Sequence, residues 1–160
     1  MSASNAFETS LLGLLFTNVD AANVGDATGL RGSTTAGVFW ISLHTASPGE
    51  TGSQNTTEAA DGSYARQDEA RNTTQWTVTN DTADNDNAIT FPQASSGSET
   101  ENAFGIGSAS SAAGNLFLYG TLTAGLAVSN GITPEFAAGA LDVTLNRLPR
   151  EHRSMLSYAI

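Results

Sequence analysis

The 160-residue chain contains no cysteine and no lysine. The first absence removes thiol nucleophiles, thiolate zinc sites and disulfides together, and leaves the redox compartment unread. The second leaves six arginines against sixteen carboxylates, a formal charge of −10. Phosphate backbones demand a basic patch that displaces condensed counterions, so neither nucleic acid nor an anionic membrane surface is an expected partner. Long apolar runs are missing too. The longest, at 11–16, is interrupted by Gly13 and falls far short of the ~18 residues of a spanning helix, so no membrane insertion is expected. The amino terminus lacks the positive region of a secretory signal. Charged residues make up only 14% of the chain, against about 25% in an average soluble domain.

Catalytic and metal-binding patterns are equally scarce. The two histidines, His44 and His152, lie 108 positions apart. His44 ends a strand-like segment beside a turn, which suits a hydrogen-bonded structural histidine. No G-x-S-x-G nucleophile motif occurs. The glycine-rich FGIGSASSAAG at 104–114 lacks the lysine and following helix of a phosphate loop, and reads as a strand with a hairpin loop. Residues 80–87, rich in Asn and Asp, supply oxygen ligands in principle, but they lack the central glycine and terminal glutamate of an EF-hand and read as a solvated turn. Sixteen carboxylates always contain some pair at glycosidase spacing, yet nothing singles one out. No enzyme activity, cofactor or metal is expected.

What is present is patterning. Asn5 and Glu8 suit a capping box, and Phe7, Leu11, Leu14 and Leu15 fall on one face of a helix over about 6–16. That face packs either on the same subunit or on a neighbour. Residues 18–37 form an extended, weakly patterned loop. From Val38 the period changes to two, with Phe39, Ile41 and Leu43 alternating against Trp40, Ser42 and His44. Pro48-Gly49 suits a type II turn, and 49–63 reads as a mobile polar loop. Further strands are expected at 64–71, 75–79, 88–91, 103–109, 116–123, 126–129 and 140–145. One helix followed by many short strands indicates a mainly β protein, a single antiparallel β-sandwich (jelly-roll-like or barrel) over 38–146 with the helix of 1–17 packed on it.

Residues 147–160 break the rhythm. They hold three arginines and one glutamate, a formal +2 that leaves −12 on 1–146. The segment is either a solvated tail or an extended assembly arm in which Arg147, Arg150 and Arg153 meet an acidic neighbour and Leu156, Tyr158 and Ile160 anchor it.

Seven blocks carry a wider likeness: MSASNAFETSLL at the start, SLHTASPGETGSQ at 42–54, GSYARQ at 62–67, WTV at 76–78, NAITFPQA at 87–94, FGIGSA at 104–109 and LAVSNGITPEFAAGALDVT at 126–144. On these the chain resembles a family of small bacteriophage virion proteins of tail-fibre-like or head-decoration-like type. The resemblance implies a non-catalytic structural protein present in many copies as a trimer or other homo-oligomer. The first expectation is a head decoration (cement) protein that binds the major capsid protein on the outer surface of the head and stabilises the shell by mass action. The alternative is a small tail-fibre or tail-tip component that joins tail proteins and contacts the host. A shaft is not expected, because repeats and heptads are absent. Residues 20–37 look longer than in family members, and many members end near Thr144, so the role of 147–160 does not carry over.

Overall fold

A computed structural model of the protein describes residues 3–22 and 32–145. Helix α1 (Asn5–Leu12) runs into a π-helical turn (Gly13–Thr17), and nine strands follow: β1 (Val38–His44), β2 (Gln67–Ala70), β3 (Trp76–Thr79), β4 (Thr82–Asn85), β5 (Ile89–Thr90), β6 (Ser98–Gly107), β7 (Leu116–Ser129), β8 (Glu135–Phe136) and β9 (Asp142–Thr144). They form a four-stranded sheet in the order β2-β1-β6-β7, a three-stranded sheet β3-β4-β9 and a pair β5-β8. Every pairing is antiparallel. The mainly β, antiparallel class with one amino-terminal helix is therefore the observed one, built from open sheets and not from a closed barrel.

The period-two pattern of β1 sends Phe39, Ile41 and Leu43 to one face, where they meet Ile106 of β6, Trp76 of β3, Ala83 of β4, Ile89 of β5 and Val143 of β9 in one core. Leu12 and Phe16 enter the same core from the helical segment. Phe16 sits edge-on to Trp76 at 4.8 Å and tilted to Phe39 at 5.1 Å between ring centroids. Aromatic pairs of this kind add about 0.5–1.5 kcal/mol beyond the area they bury.

The buried face of the helix differs from the expected one. Glu8, Leu12 and Phe16 are buried, whereas Phe7 and Leu15 are exposed. Ser4, not Asn5, is the N-cap, and its side chain accepts from the Phe7 N–H. A carboxylate in the first turn is favoured by the helix dipole, so Glu8 does not disqualify the face that carries Leu12 and Phe16. The helical segment ends at Asn18 in the left-handed region (φ 57°). Asn18 then exchanges two 2.7 Å hydrogen bonds with the Ser33 backbone, and Asp20 accepts from the Gly32 N–H, which fastens the two ends of the 18–37 excursion together.

Three other segments depart from expectation. Residues 80–87 are not one solvated turn. After a left-handed Asn80 (φ 56°) they make β4, the middle strand of its sheet. Asn85 explains how so polar a sequence is buried: its side chain donates to the Asn87 and Ala137 carbonyls and accepts from the Leu141 N–H. Strand β6 starts at Ser98, earlier than expected, because its polar first residues pair with Leu126–Ser129 of β7. Residues 49–63 are irregular but anchored, with Gln54 fully buried and backbone bonds from Thr45 to Thr57 and from Ala59 to Leu43.

Candidate functional site

The residues expected to form an assembly arm, Arg147, Arg150, Arg153, Leu156, Tyr158 and Ile160, lie outside the described residues. Within the described chain the most reactive-looking pair is Ser42 and His44. They are two apart on β1, so both point to the face opposite the core. His44 Nδ1 lies 2.8 Å from the Thr56 carbonyl and must donate to it. Nε2 is therefore free to accept from the Ser42 hydroxyl at 2.9 Å, the arrangement a serine nucleophile uses with its base. Burial lowers the imidazole's pKa against the opposing pull of the Thr56 bond and Glu58. Both side chains are fully buried. A Cβ at Gly105, whose carbonyl Ser42 also approaches, would stand 2.7 Å from Ser42 Oγ and 2.8 Å from His44 Nε2. The pair is packed against the Gly105 backbone and joins β1 to β6 and to the Thr56 carbonyl.

The same face carries a buried arginine clamp. Arg66 holds Glu58 through two bonds, Nε at 2.6 Å and an Nη at 2.7 Å, and donates two further bonds to the Ala109 and Ala112 carbonyls. Gln54 reinforces it by bridging the Trp40 carbonyl and the Ala109 N–H. A planar fork suits this double task in a way a lysine would not. Together the two side chains pin the 108–115 loop onto the 49–63 segment. Tyr64 accepts from the Leu43 N–H beside them, and burial pushes its phenol far up.

Carboxylates cluster in two places. Asp84 and Asp142 are register partners across β4 and β9, and burial, then the hydrogen bond and charge of Asp142, raise the pKa of Asp84. Glu101 on β6 is 1% exposed, and neither of its oxygens has a hydrogen-bond partner. Burial, then Glu99 and Asp61, push it up to about 7. Glu99 is itself occupied by the Ala60 and Asp61 N–H groups. Among the described residues, no group of three or more His, Asp or Glu side chains is placed to hold a metal ion.

What the surface does offer is apolar. A groove of about 450 Å³ is lined by Leu15, Phe16, Val38, Phe39, Arg71 and Phe117 among others. Arg71 caps the end of the helical segment by donating to the Leu14 and Leu15 carbonyls, and lies 5.6 Å from the Phe39 ring centroid. Phe117 packs edge-on to Phe39 at 6.1 Å yet stays 52% exposed. It lies at the start of β7, along which Tyr119 is also exposed. Reading 116–123 as a strand gives no reason to single out these two aromatics. The signal that does so is electrostatic: no Asp, Glu, Lys, Arg or His occurs between Glu101 and Glu135.

Residues 2–144 match the family model described as Podophage GP4 fiber I protein gp80. No curated protein matches the chain. The match covers most of the sequence, and the chain belongs to this family of phage structural fibre proteins.

Proposed function

We propose that the chain is a small, non-catalytic fibre component of the phage virion, carried on the tail and taking part in host contact. Membership of the fibre family over residues 2–144 carries this reading. It supports the tail alternative over the head decoration placed first on sequence grounds, because the family's description names a fibre and no capsid component. The fold is consistent with a tip or adaptor: described strands gather around one core, and the chain has neither the repeats nor the heptads from which long shafts are built. A non-catalytic role is supported by the sealing of Ser42 and His44 beneath backbone. The partners implied are tail proteins on one side and a host surface on the other.

The test is quantitative mass spectrometry of separated heads and tails from purified virions. A few to a few tens of copies, found with the tails, is the expected result. Several hundred copies found with the heads would overturn it and restore the decoration reading, with the major capsid protein as partner.

A further inference from the structure

Thirty-three consecutive residues, 102–134, carry no Asp, Glu, Lys, Arg or His in a chain of net charge −10. They fold as the second half of β6, the 108–115 loop, β7 and the turn after it. Strand β7 is the last strand of its sheet: one edge pairs with β6, and the other pairs with no strand among the described residues. Its 14 residues span about 45 Å at roughly 3.3 Å per residue. Natural edges of this length are normally protected by lysine, proline or inward charges. Between Leu116 and Ser129 there is none of these. The ladder to β6 is irregular at two places, at Phe117 and over 122–125 opposite Asn102. Phe117 and Tyr119 are 52% and 40% exposed, and the bulge at Phe117 sets them on opposite faces: Phe117 packs beside Phe39 at the rim of the core, while Tyr119, opposite Gly105, and Thr121, opposite Ala103, stand on the face of Ser42 and His44.

We propose that β7 is a self-association surface, and that its occupant is a second copy of this chain. Charge decides the occupant. Two copies of so acidic a protein repel wherever their carboxylates approach, and β7 is the place where contact brings no carboxylate of the strand itself into play. A basic partner would be drawn to the acidic faces, where its charge is answered, and would leave this strand unused. Like edges also complete one another: each offers the backbone donors and acceptors that the other lacks, and neither has to desolvate a charge. The exposed aromatics add the rigid apolar anchors on which interface energy usually concentrates. The inference goes beyond the fibre reading and does not depend on where in the virion the protein sits.

The test uses the full chain in solution, by native mass spectrometry and light scattering over a concentration series. Self-association is expected, and added salt should preserve or strengthen it, because screening weakens only the repulsion. Phe117→Glu and Tyr119→Glu should each weaken it by roughly tenfold or more, about 1.4 kcal/mol, while Phe7→Glu on the exposed side of α1 leaves it unchanged. Hydrogen exchange on the unmutated protein supplies a readout that does not rely on any variant folding: amides of Leu116–Ser129 should gain protection as concentration rises. A monomer at every concentration would overturn the proposal. So would an association that salt dissolves, or one that Phe7→Glu abolishes and the β7 variants do not. Protection of β7 that arises only in the assembled virion would assign the edge to a different protein and equally end the second-copy proposal.

Discussion

Strands β1 and β7 belong to one sheet, separated only by β6, yet they live in opposite environments. On β1, Phe39, Ile41 and Leu43 enter the core while Ser42 and His44 on the other face are fully covered by the anchored 49–63 segment. Strands lie on both its edges. On β7 one edge pairs with no strand among the described residues, and Phe117 and Tyr119 are among its exposed side chains. One sheet thus carries a sealed side where folding free energy is concentrated and a bare side that costs little to alter. The sealed pair Ser42 and His44 is polar, whereas the bare residues of β7 include two large aromatics, the reverse of what hydropathy alone suggests. Buried polar groups are tolerated on β1 because each has a partner. On β7, Phe117 touches Phe39 along one side only, and both it and Tyr119 keep large parts of their rings bare.

The comparison breaks most readily at Arg66. Arg66→Ala removes four hydrogen bonds, strands the Glu58 carboxylate and releases the 108–115 loop. Loss of one partner of a buried pair costs about 3–5 kcal/mol, so a large fall in the denaturation midpoint is expected. An Arg66→Ala protein as stable as the parent would show that the 49–63 segment is a passive cover and not a clamp.

Almost none of that clamp is legible in the sequence. The alternation of β1 exposes one apolar row and correctly implies a core, but the polar row, Ser42 and His44, looks solvent-facing until the fold lays 49–63 across it. Irregular polar sequence carries no periodicity, so its anchoring by Gln54 and Arg66 depends on partners that are remote in sequence and converge only in space. Strand β4 is hidden for a related reason, since Thr82–Asn85 has the composition of a turn and is held as a strand by Asn85 and its bonds to residues 137–141. The helix pattern points one position away from the buried face because Leu12 and Phe16 form as good a stripe as Phe7 and Leu11, and the rings of Trp76 and Phe39, remote in sequence, select between them. The strands around Phe39, Trp76 and Leu116 are readable because local pattern and tertiary burial agree there.

The second effect in size lies where the far half of the β7 ladder rests on β6. Glu101, opposite Leu126, is buried without a hydrogen-bond partner and pushed up to about 7 from an ordinary 4.5. Below pH 4.5 both folded and unfolded chains hold this proton. As pH rises the unfolded chain releases it first, so the group's contribution falls through the window from 4.5 to 7 and is fully unfavourable above 7. Two and a half units correspond to about 3 kcal/mol. Glu101→Gln should therefore be more stable than the parent at pH 8 by up to about 3 kcal/mol, with the difference shrinking toward zero near pH 4. Measuring urea midpoints of both proteins across that range checks it. A constant difference would mean that the carboxyl finds water or a donor in solution. His44 acts in the opposite sense: its lowered pKa keeps the folded ring neutral, so acidification below its ordinary 6.5 costs stability in both proteins alike.

A smaller loss is expected at Ser42. Ser42→Ala deletes the donor to His44 Nε2 and leaves that nitrogen buried and unsatisfied, at about 1–3 kcal/mol. On the proposed non-catalytic reading, the change should appear in thermal unfolding and leave virion incorporation of folded protein intact. Incorporation that fails while the melting temperature holds would point to a functional role for the pair.

Tyr119 provides the smallest stability effect and the sharpest contrast with β1. Its ring is 40% exposed, and among the described residues it tethers no other element. Surface changes away from caps and buried networks usually stay within about 0.5 kcal/mol, so Tyr119→Ser should unfold at nearly the parent midpoint when measured at high dilution. At high concentration the two proteins should separate, since only the parent gains stability from mass action between copies. Equal midpoints at every concentration would leave the strand's bare face without energetic consequence. A large loss at high dilution would mean that β7 supports the monomer's core as strongly as β1 does, and would erase the division of labour within the sheet.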